Sequence, residues 1–371
     1  MLERHGIIGG VVALLCLSPL ACHEPTAMAH AGEGSVSIST GSGVERAPRG
    51  VVVEVIAAPG ALPKALQGMA TAEMVPDVID ARRVSGQVYV LLLRPGDLIL
   101  RTRDAGRHWE WWRSEMPLAS IVPGDGLWWS LTDIDELGRA NRVARSRDEG
   151  KTWELRMTGQ RLEPSPRLML SYGDGLALAT GPFVLRGQRV SEQWQWSNPQ
   201  VASEISAFST EESADGVRYW VGAQGRVAWK HGEEGAWQVE AVDTALLPQV
   251  YAVVPRPERG DHLAATSGGL YWRRSGGDGS VGWQHVGSLG RHTYFDAAFQ
   301  GELGVAVGAS GEVAVSDDGG LHWHRVTAEV MEAFAVSSAR EKLDANWRYV
   351  FATSEGFLLL GDGLRIGLLR L

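Results

Sequence analysis

Ser316-Asp-Asp-Gly-Gly-Leu-His-Trp-His-Arg325, SDDGGLHWHR, decides how this chain is read. Taken alone, with its carboxylates and imidazoles crowded together, it looks like a reactive site. Two near copies change that reading: SRDEGKTWEL begins at Ser146 and TRDAGRHWEW at Thr102. All three share Ser/Thr-x-Asp-x-Gly-x-x-Trp, as Thr102, Asp104, Gly106, Trp109; Ser146, Asp148, Gly150, Trp153; and Ser316, Asp318, Gly320, Trp323. An Asp in such a stretch can accept backbone N–H groups of a turn. The Gly allows the positive φ that a tight turn needs. The Trp begins the next strand, with a ring large enough to fill a gap between sheets. HGEEGAW, ending at Trp237, and SGGDGSVGW, ending at Trp283, keep the Trp and lose the Asp. A pattern that decays around a persistent Trp reads as scaffold, and the expected role is a fastener.

The spacing supports this. Trp109, Trp153, Trp194, Trp237, Trp283 and Trp323 follow one another at intervals of 40 to 46 residues. That is the length of one four-stranded propeller blade. The first unit offers DVIDARRV, QVYVLLL, DLILRT and HWEWW. The fourth offers EISAF, VRYWVG, RVAWK and AWQVE, and the sixth 293–299, 303–308, 312–316 and 322–326. These are short runs rich in β-branched and aromatic residues, separated by glycine turns. A seventh unit runs from about Glu332 with EAFAV, RYVFATS, FLLLG and LRIGLL. GVVVEVI, from Gly50, is expected to pair with that last unit and close a ring. The only segment with any helical character is 61–72, which Pro63 and Gly68 interrupt. The fold class expected is all-β, a seven-bladed β-propeller of four-stranded antiparallel blades, with six or eight blades as alternatives.

Here the chain resembles a known group. Ser-x-Asp-x-Gly-x-x-Trp between strands is similar to the Asp-box, or BNR repeat, of sialidase-type β-propellers. GVAVGASGEVAVSDDGGLHW, residues 304–323, resembles the repeat of the photosystem II assembly and stability factor family. The resemblance covers residues 75–330. It implies the propeller fold and a non-enzymatic binding role. Asp-boxes also occur in glycosidases and sorting receptors, so it implies fold more specifically than function.

Composition narrows the function. The 371 residues carry a formal net charge of −9, with no block of Lys and Arg large enough for a nucleic-acid face. The chain opens with a charged pentapeptide and the apolar run GIIGGVVALLCLSPLA, 6–21, short for a membrane span and suited to a signal-peptide core. Pro19-Leu-Ala-Cys22 resembles a bacterial lipobox, with Pro where Leu is usual. Ala27-Met-Ala29 is the competing site for ordinary cleavage. The two cysteines are Cys16 and Cys22, and Cys22 is the expected lipid anchor. Residues 1–22 thus read as a signal peptide, 23–49 as a flexible tether, and 50–371 as a single propeller. The expected location is the outer membrane or periplasm as a lipoprotein, with a secreted soluble protein as the alternative. Membrane contact is expected only through that anchor.

Candidates for chemistry are few. Sialidase-like hydrolysis needs an arginine cluster, a Tyr paired with Glu, and a proton donor. The Arg-Ile-Pro signature of that family is absent from the first unit, and RAPRG, 46–50, reads as tether. Tyr294 and Tyr349 are available nucleophile types in strands. Asp133, Asp135 and Glu136 read as a solvated turn. His322 and His324 form an H-x-H that could ligate zinc, but His322 occupies the turn position of His108 and Thr152, so no metal is assigned. Gly225, Gly308 and Gly311 precede no helix, so no nucleotide site is read. Trp111-Trp112 and Trp128-Trp129 are expected to pack in two layers between blades, with sugar stacking as the alternative. The expected function is a monomeric cell-envelope binding or scaffold protein for a protein partner. It carries no cofactor and no catalytic residues; a glycoside hydrolase or glycan-binding propeller is the alternative. Residues 57–73 and 338–346 depart furthest from blade regularity, and one of them is expected to contribute to the partner surface.

Overall fold

The computed structural model describes residues 50–57, 77–94, 96–124, 126–134, 140–156, 168–172, 175–180, 183–190, 193–197, 205–208, 217–222, 225–231, 238–256, 260–273, 282–337 and 345–371. Strand β1 is Val52–Ala57. Blade 1 holds β2 (Val78–Ser85), β3 (Val88–Leu93), β4 (Leu98–Thr102) and β5 (Glu110–Arg113). Blade 2 holds β6 (Trp128–Ile134), β7 (Ala140–Ser146) and β8 (Glu154–Arg156). Blade 3 holds β9 (Leu168–Tyr172), β10 (Gly175–Thr180), β11 (Phe183–Val190) and β12 (Gln193–Ser197). Blade 4 holds β13 (Ile205–Phe208), β14 (Val217–Gly222), β15 (Arg226–His231) and β16 (Gln238–Ala241). Blade 5 holds β17 (Val250–Pro255), β18 (His262–Thr266), β19 (Gly269–Arg273) and β20 (Trp283–His285). Blade 6 holds β21 (Tyr294–Gln300), β22 (Leu303–Gly308), β23 (Val313–Ser316) and β24 (His324–Arg325). Helix α1 (Thr327–Ser337) follows, then β25 (Trp347–Thr353), β26 (Gly356–Gly361) and β27 (Arg365–Arg370).

The described strands thus form seven antiparallel sheets, six of four strands and one of three, each a simple meander apart from the closing one. The fold is a β-propeller. The first strands of successive blades pack side by side, from β9 with β13 through β21 with β25, and β25 meets β2. They are therefore the innermost strands. The ring is closed by the first described strand: β1 pairs antiparallel with β27, from Val52 opposite Arg370 to Ala57 opposite Ile366. Arg370 also pairs with Glu54 across that seam at 2.7 Å.

Two segments differ from the sequence reading. EAFAV, 332–336, is not a strand but part of α1. Val330 and Phe334, one helical turn apart, are buried beside Trp347, Val350 and Leu369, and the surrounding Ala, Glu and Met residues favour a helix. The seventh blade therefore starts at β25, with β1 as its fourth strand. In blade 2 the innermost segment makes isolated bridges only, Leu118 to Thr132 and Val122 to Trp129. Pro117 and Pro123 flank it, and neither can donate to a ladder.

The core lies between blades. Leu358, Leu360 and Ile366 of blade 7 meet Tyr89, Leu91 and Trp109 of blade 1. Leu263 and Trp272 of blade 5 meet Tyr294 and Trp323 of blade 6. Because strands alternate in direction, the turns between first and second and between third and fourth strands share one face. The turns between second and third strands, and the crossovers to the next blade, share the other. These are called the turn face and the crossover face below.

Candidate functional site

On the turn face, all three copies of the motif adopt one hydrogen-bonded geometry. The Gly106, Gly150 and Gly320 N–H groups donate to Thr102 Oγ1, Ser146 Oγ and Ser316 Oγ at 2.8, 2.8 and 2.7 Å. Those hydroxyls in turn donate to Asp104, Asp148 and Asp318 at 2.9, 2.8 and 2.9 Å. Each Asp also accepts the N–H four residues on, from His108, Thr152 and His322, at 2.8 to 2.9 Å. The side chains of the same three residues complete the set, at 2.5 to 2.7 Å. Burial alone would raise these carboxyls, but the donors outweigh it and hold all three below the ordinary aspartate range. Gly106, Gly150 and Gly320 have φ of 97°, 83° and 85°.

The tryptophans of the motif are buried against the preceding blade. Trp109 faces blade 7, Trp153 faces blade 1 and Trp323 faces blade 5. Trp153 and Trp323 donate Nε1–H to the Gly150 and Gly320 carbonyls at 3.0 Å. Those two carbonyls accept a second indole from the neighbouring blade, Trp112 and Trp272, each at 2.7 Å. The motif is thus bonded both to its own turn and across the gap between blades. Its hydroxyls and carboxylates are occupied by the protein's own backbone and side chains, which leaves little for a ligand. Between blades 5 and 6, Trp272, Gln284, His285, Ser288, Leu321 and His322 line a shallow groove of about 240 Å³.

The crossover face is built differently. Five innermost strands carry a register shift at the same place: between Val78 and Asp80, Ile205 and Ala207, Val250 and Ala252, Tyr294 and Asp296, and Trp347 and Tyr349. A bulge leaves one residue out of the ladder and re-aims it. In blades 5, 6 and 7 those residues are Tyr251, Phe295 and Arg348, and they meet one another. Tyr251 and Phe295 make an edge-to-face pair with centroids 4.9 Å apart. The Arg348 guanidinium carbon lies over the Phe295 ring, 4.9 Å from its centroid. Asp362, in the turn between β26 and β27, takes Arg348 Nε–H at 2.8 Å and a terminal N–H at 3.2 Å. Asn346 donates to Asp362 at 2.8 Å and accepts the Ser310 N–H at 3.1 Å. Thr293 reaches the Ser267 carbonyl at 3.3 Å. All three bulge residues are half-buried.

Nearby carboxylates lock blades together. Asp296 of β21 accepts the Val350 N–H of β25 at 3.0 Å. Asp80 of β2 accepts the Ile121 N–H of blade 2 at 2.8 Å and pairs with Arg82 at 3.1 Å. Burial raises the Asp80 carboxyl, and Arg82 and the Ile121 N–H only partly offset it.

The tyrosines named as nucleophile types are otherwise engaged. Tyr294 is fully buried, and burial pushes its hydroxyl well above the ordinary range. Tyr349 donates its hydroxyl to the Ile79 carbonyl at 3.1 Å, and burial, with Asp80 beside it, raises it too. Arg82 and Arg348 near it are each paired with an aspartate. His322 is exposed and holds Asp318, while His324 lies half-buried in β24. Trp128 and Trp129 are buried, but Trp111 corrects the expectation of two packed layers. It stands 41% exposed on the outermost strand of blade 1, where no further strand among the described residues covers it.

Cys22, Asp135, Glu136 and Trp237 lie outside the described residues, as do 58–76 and 338–344 and the side chains of Asp133, Trp194 and Trp196. Tyr251, Phe295 and Arg348 were missed by the sequence reading. Their one signal is a burial spacing of three residues instead of two, at Val250 and Val253, Tyr294 and Ala297, and Trp347 and Val350.

No family model matches the chain, and no curated protein matches it. Solved structures do. YCF48 from Cyanidioschyzon merolae superposes with a TM-score of 0.62 at 16% identity, over 85% of this chain and 98% of that one. A structure of YCF48 bound to D1 peptide gives 0.59 at 18%, over 79% and 91%. Virginiamycin B lyase from Staphylococcus aureus, in a catalytically inactive form with Quinupristin, gives 0.59 at 10%, over 87% and 100%. At these identities the likeness is one of fold.

Proposed function

We propose that this propeller is a binding protein that docks a partner protein on its crossover face. The observation that carries the reading is the rim formed by Tyr251, Phe295 and Arg348, fixed by Asp362 and Asn346. Its side chains are held in place by the protein yet remain partly open to solvent. Aromatic and arginine side chains in such settings carry much of the energy at protein interfaces. The turn face presents the opposite case, with its polar groups closed on themselves. A fold neighbour, YCF48, is known bound to D1 peptide, and a rigid propeller rim suits the same kind of task here. In this reading the Ser/Thr-x-Asp-x-Gly-x-x-Trp turns are Asp-boxes in a purely structural role, and the protein is an assembly-factor-like scaffold.

The cell-envelope setting belongs to the same proposal. It rests on the apolar run 6–21 and on Cys22 as lipid anchor. Labelled palmitate should enter the wild-type protein and not Cys22→Ala; equal labelling refutes the anchor. For the docking face, a photoreactive phenylalanine analogue at Thr293 or Ser310 should cross-link one discrete partner in native envelopes. The same group at Arg107 or His322, on the turn face, should not. Cross-linking confined to the turn face would reverse the assignment.

A further inference from the structure

Resting on the docking role just proposed, we infer that Tyr251, Phe295 and Arg348 form a subsite for an uncharged aromatic side chain of the partner, recognised by stacking and not as an anion. The reasoning begins with charge. An exposed arginine on a binding face would ordinarily be read as an anion receptor. Here Asp362 occupies Nε–H and one terminal N–H of Arg348, so the pair carries no net charge. Asp80 likewise pairs with Arg82 on the neighbouring innermost strand, through a single contact at 3.1 Å. A partner carboxylate would have to compete with Asp362 at close range.

What Arg348 still offers is its plane. The guanidinium carbon lies over the Phe295 ring, 4.9 Å from its centroid, and the side chain remains 39% exposed. A guanidinium fixed in this way presents a flat, weakly hydrated surface that stacks on aromatic rings. Its terminal N–H groups not taken by Asp362 can reach a backbone carbonyl beside the stacked ring. Tyr251, edge-on to Phe295, extends the aromatic surface into blade 5.

The subsite is also prepared in advance. Asn346 holds Asp362 through its side chain at 2.8 Å and accepts the Asp362 N–H on its own carbonyl at 2.9 Å. The Ser310 N–H of blade 6 fixes Asn346 in turn. Arg348 therefore has little rotamer freedom left to lose on binding, which is the condition under which a small contact gives measurable affinity. The bulges of β17, β21 and β25 place the three side chains in register across three blades.

The test uses the full-length protein and small probes, observed by NMR at the Arg348 Nε–H. N-acetyl-tryptophanamide should bind in the millimolar range, about fivefold more tightly than N-acetyl-leucinamide, the margin expected of a single stacking contact. Acetate should leave the signal unmoved. Phe295→Leu and Arg348→Lys should each abolish the preference for the tryptophan amide, read from ligand resonances, with an unchanged melting temperature. The lysine variant keeps the charge and removes the plane, so retention of the preference in it overturns the stacking assignment. Acetate binding as tightly as the tryptophan amide overturns it as well, in favour of an anion site. Either failure leaves the docking face standing, since that is judged by the cross-linking pattern alone.

Discussion

The two faces of this propeller solve opposite problems with similar residues. On the turn face, a hydroxyl residue, an aspartate and a tryptophan recur from Thr102, Ser146 and Ser316, and the hydroxyls and carboxylates bond within their own turn, while the Gly150 and Gly320 carbonyls also take an indole from the preceding blade. On the crossover face, bulges push Tyr251, Phe295 and Arg348 out of the ladder, and the supporting bonds come from behind them. The turn motif repeats its residues and marks the scaffold, whereas the bulge repeats only its geometry and presents different residues from blade to blade. The contrast is energetic as well as geometric. Substitutions on the turn face should cost stability, and those on the crossover rim should cost binding.

The largest separation is expected between Trp323→Ala and Arg348→Ala. Trp323 is 2% exposed and fills the gap between blades 5 and 6, so its loss should destabilise by about 3–5 kcal/mol. Arg348→Ala removes a half-exposed side chain and should stay within about 1 kcal/mol of wild type. Urea unfolding of both variants measures the difference; equal losses would erase the division between faces. A smaller but sharper contrast lies between two glycines of positive φ. Gly320 has φ of 85° and a Cβ there would run into the Trp272 ring. Gly301 has φ of 59° and open space around it. Gly320→Ala should cost about 2–4 kcal/mol by strain and overpacking, against about 1 kcal/mol for Gly301→Ala. Ser316→Ala comes next, at about 1–2 kcal/mol, since it removes the acceptor of the Gly320 N–H and one donor to Asp318.

The fold was legible because its signals are local. Each blade repeats a strand pattern and a turn whose Asp, Gly and Trp are fixed by backbone geometry. GVVVEVI could be assigned to the last blade because a lone strand has to be paired somewhere. The helix at 327–337 was not read, since EAFAV fits the apolar runs seen in other units, and only the burial of Val330 and Phe334 on one side separates the two. The exposure of Trp111 was equally hidden, because alternation gives the face of a strand but not whether another sheet lies against it. The crossover rim was least legible of all. A bulge arises from how neighbouring innermost strands converge, and no residue type at Tyr251, Phe295 or Arg348 announces it.

The smallest expected effect is one of sign. Asp318 has its folded pKa lowered, as do Asp104 and Asp148. Such groups contribute stability above the unfolded value, about 3.9, and lose it as pH falls through the folded one. Asp80, buried beside Arg82, has its folded pKa raised. The folded protein takes up that proton more readily than the unfolded chain, so Asp80 contributes most below about 3.9 and loses that contribution as pH rises through its folded pKa. The two faces should therefore respond oppositely to mild acid. Asp80→Asn, which keeps an oxygen for the Ile121 N–H, should leave a protein whose stability no longer gains as pH falls toward about 4. Asp318→Asn should flatten the loss below about pH 4 by the share of one of three copies. Urea midpoints measured from pH 7 to pH 3 resolve both slopes. An Asp318→Asn protein that loses stability in acid as steeply as wild type would mean that the turn carboxylates do not act through their charge.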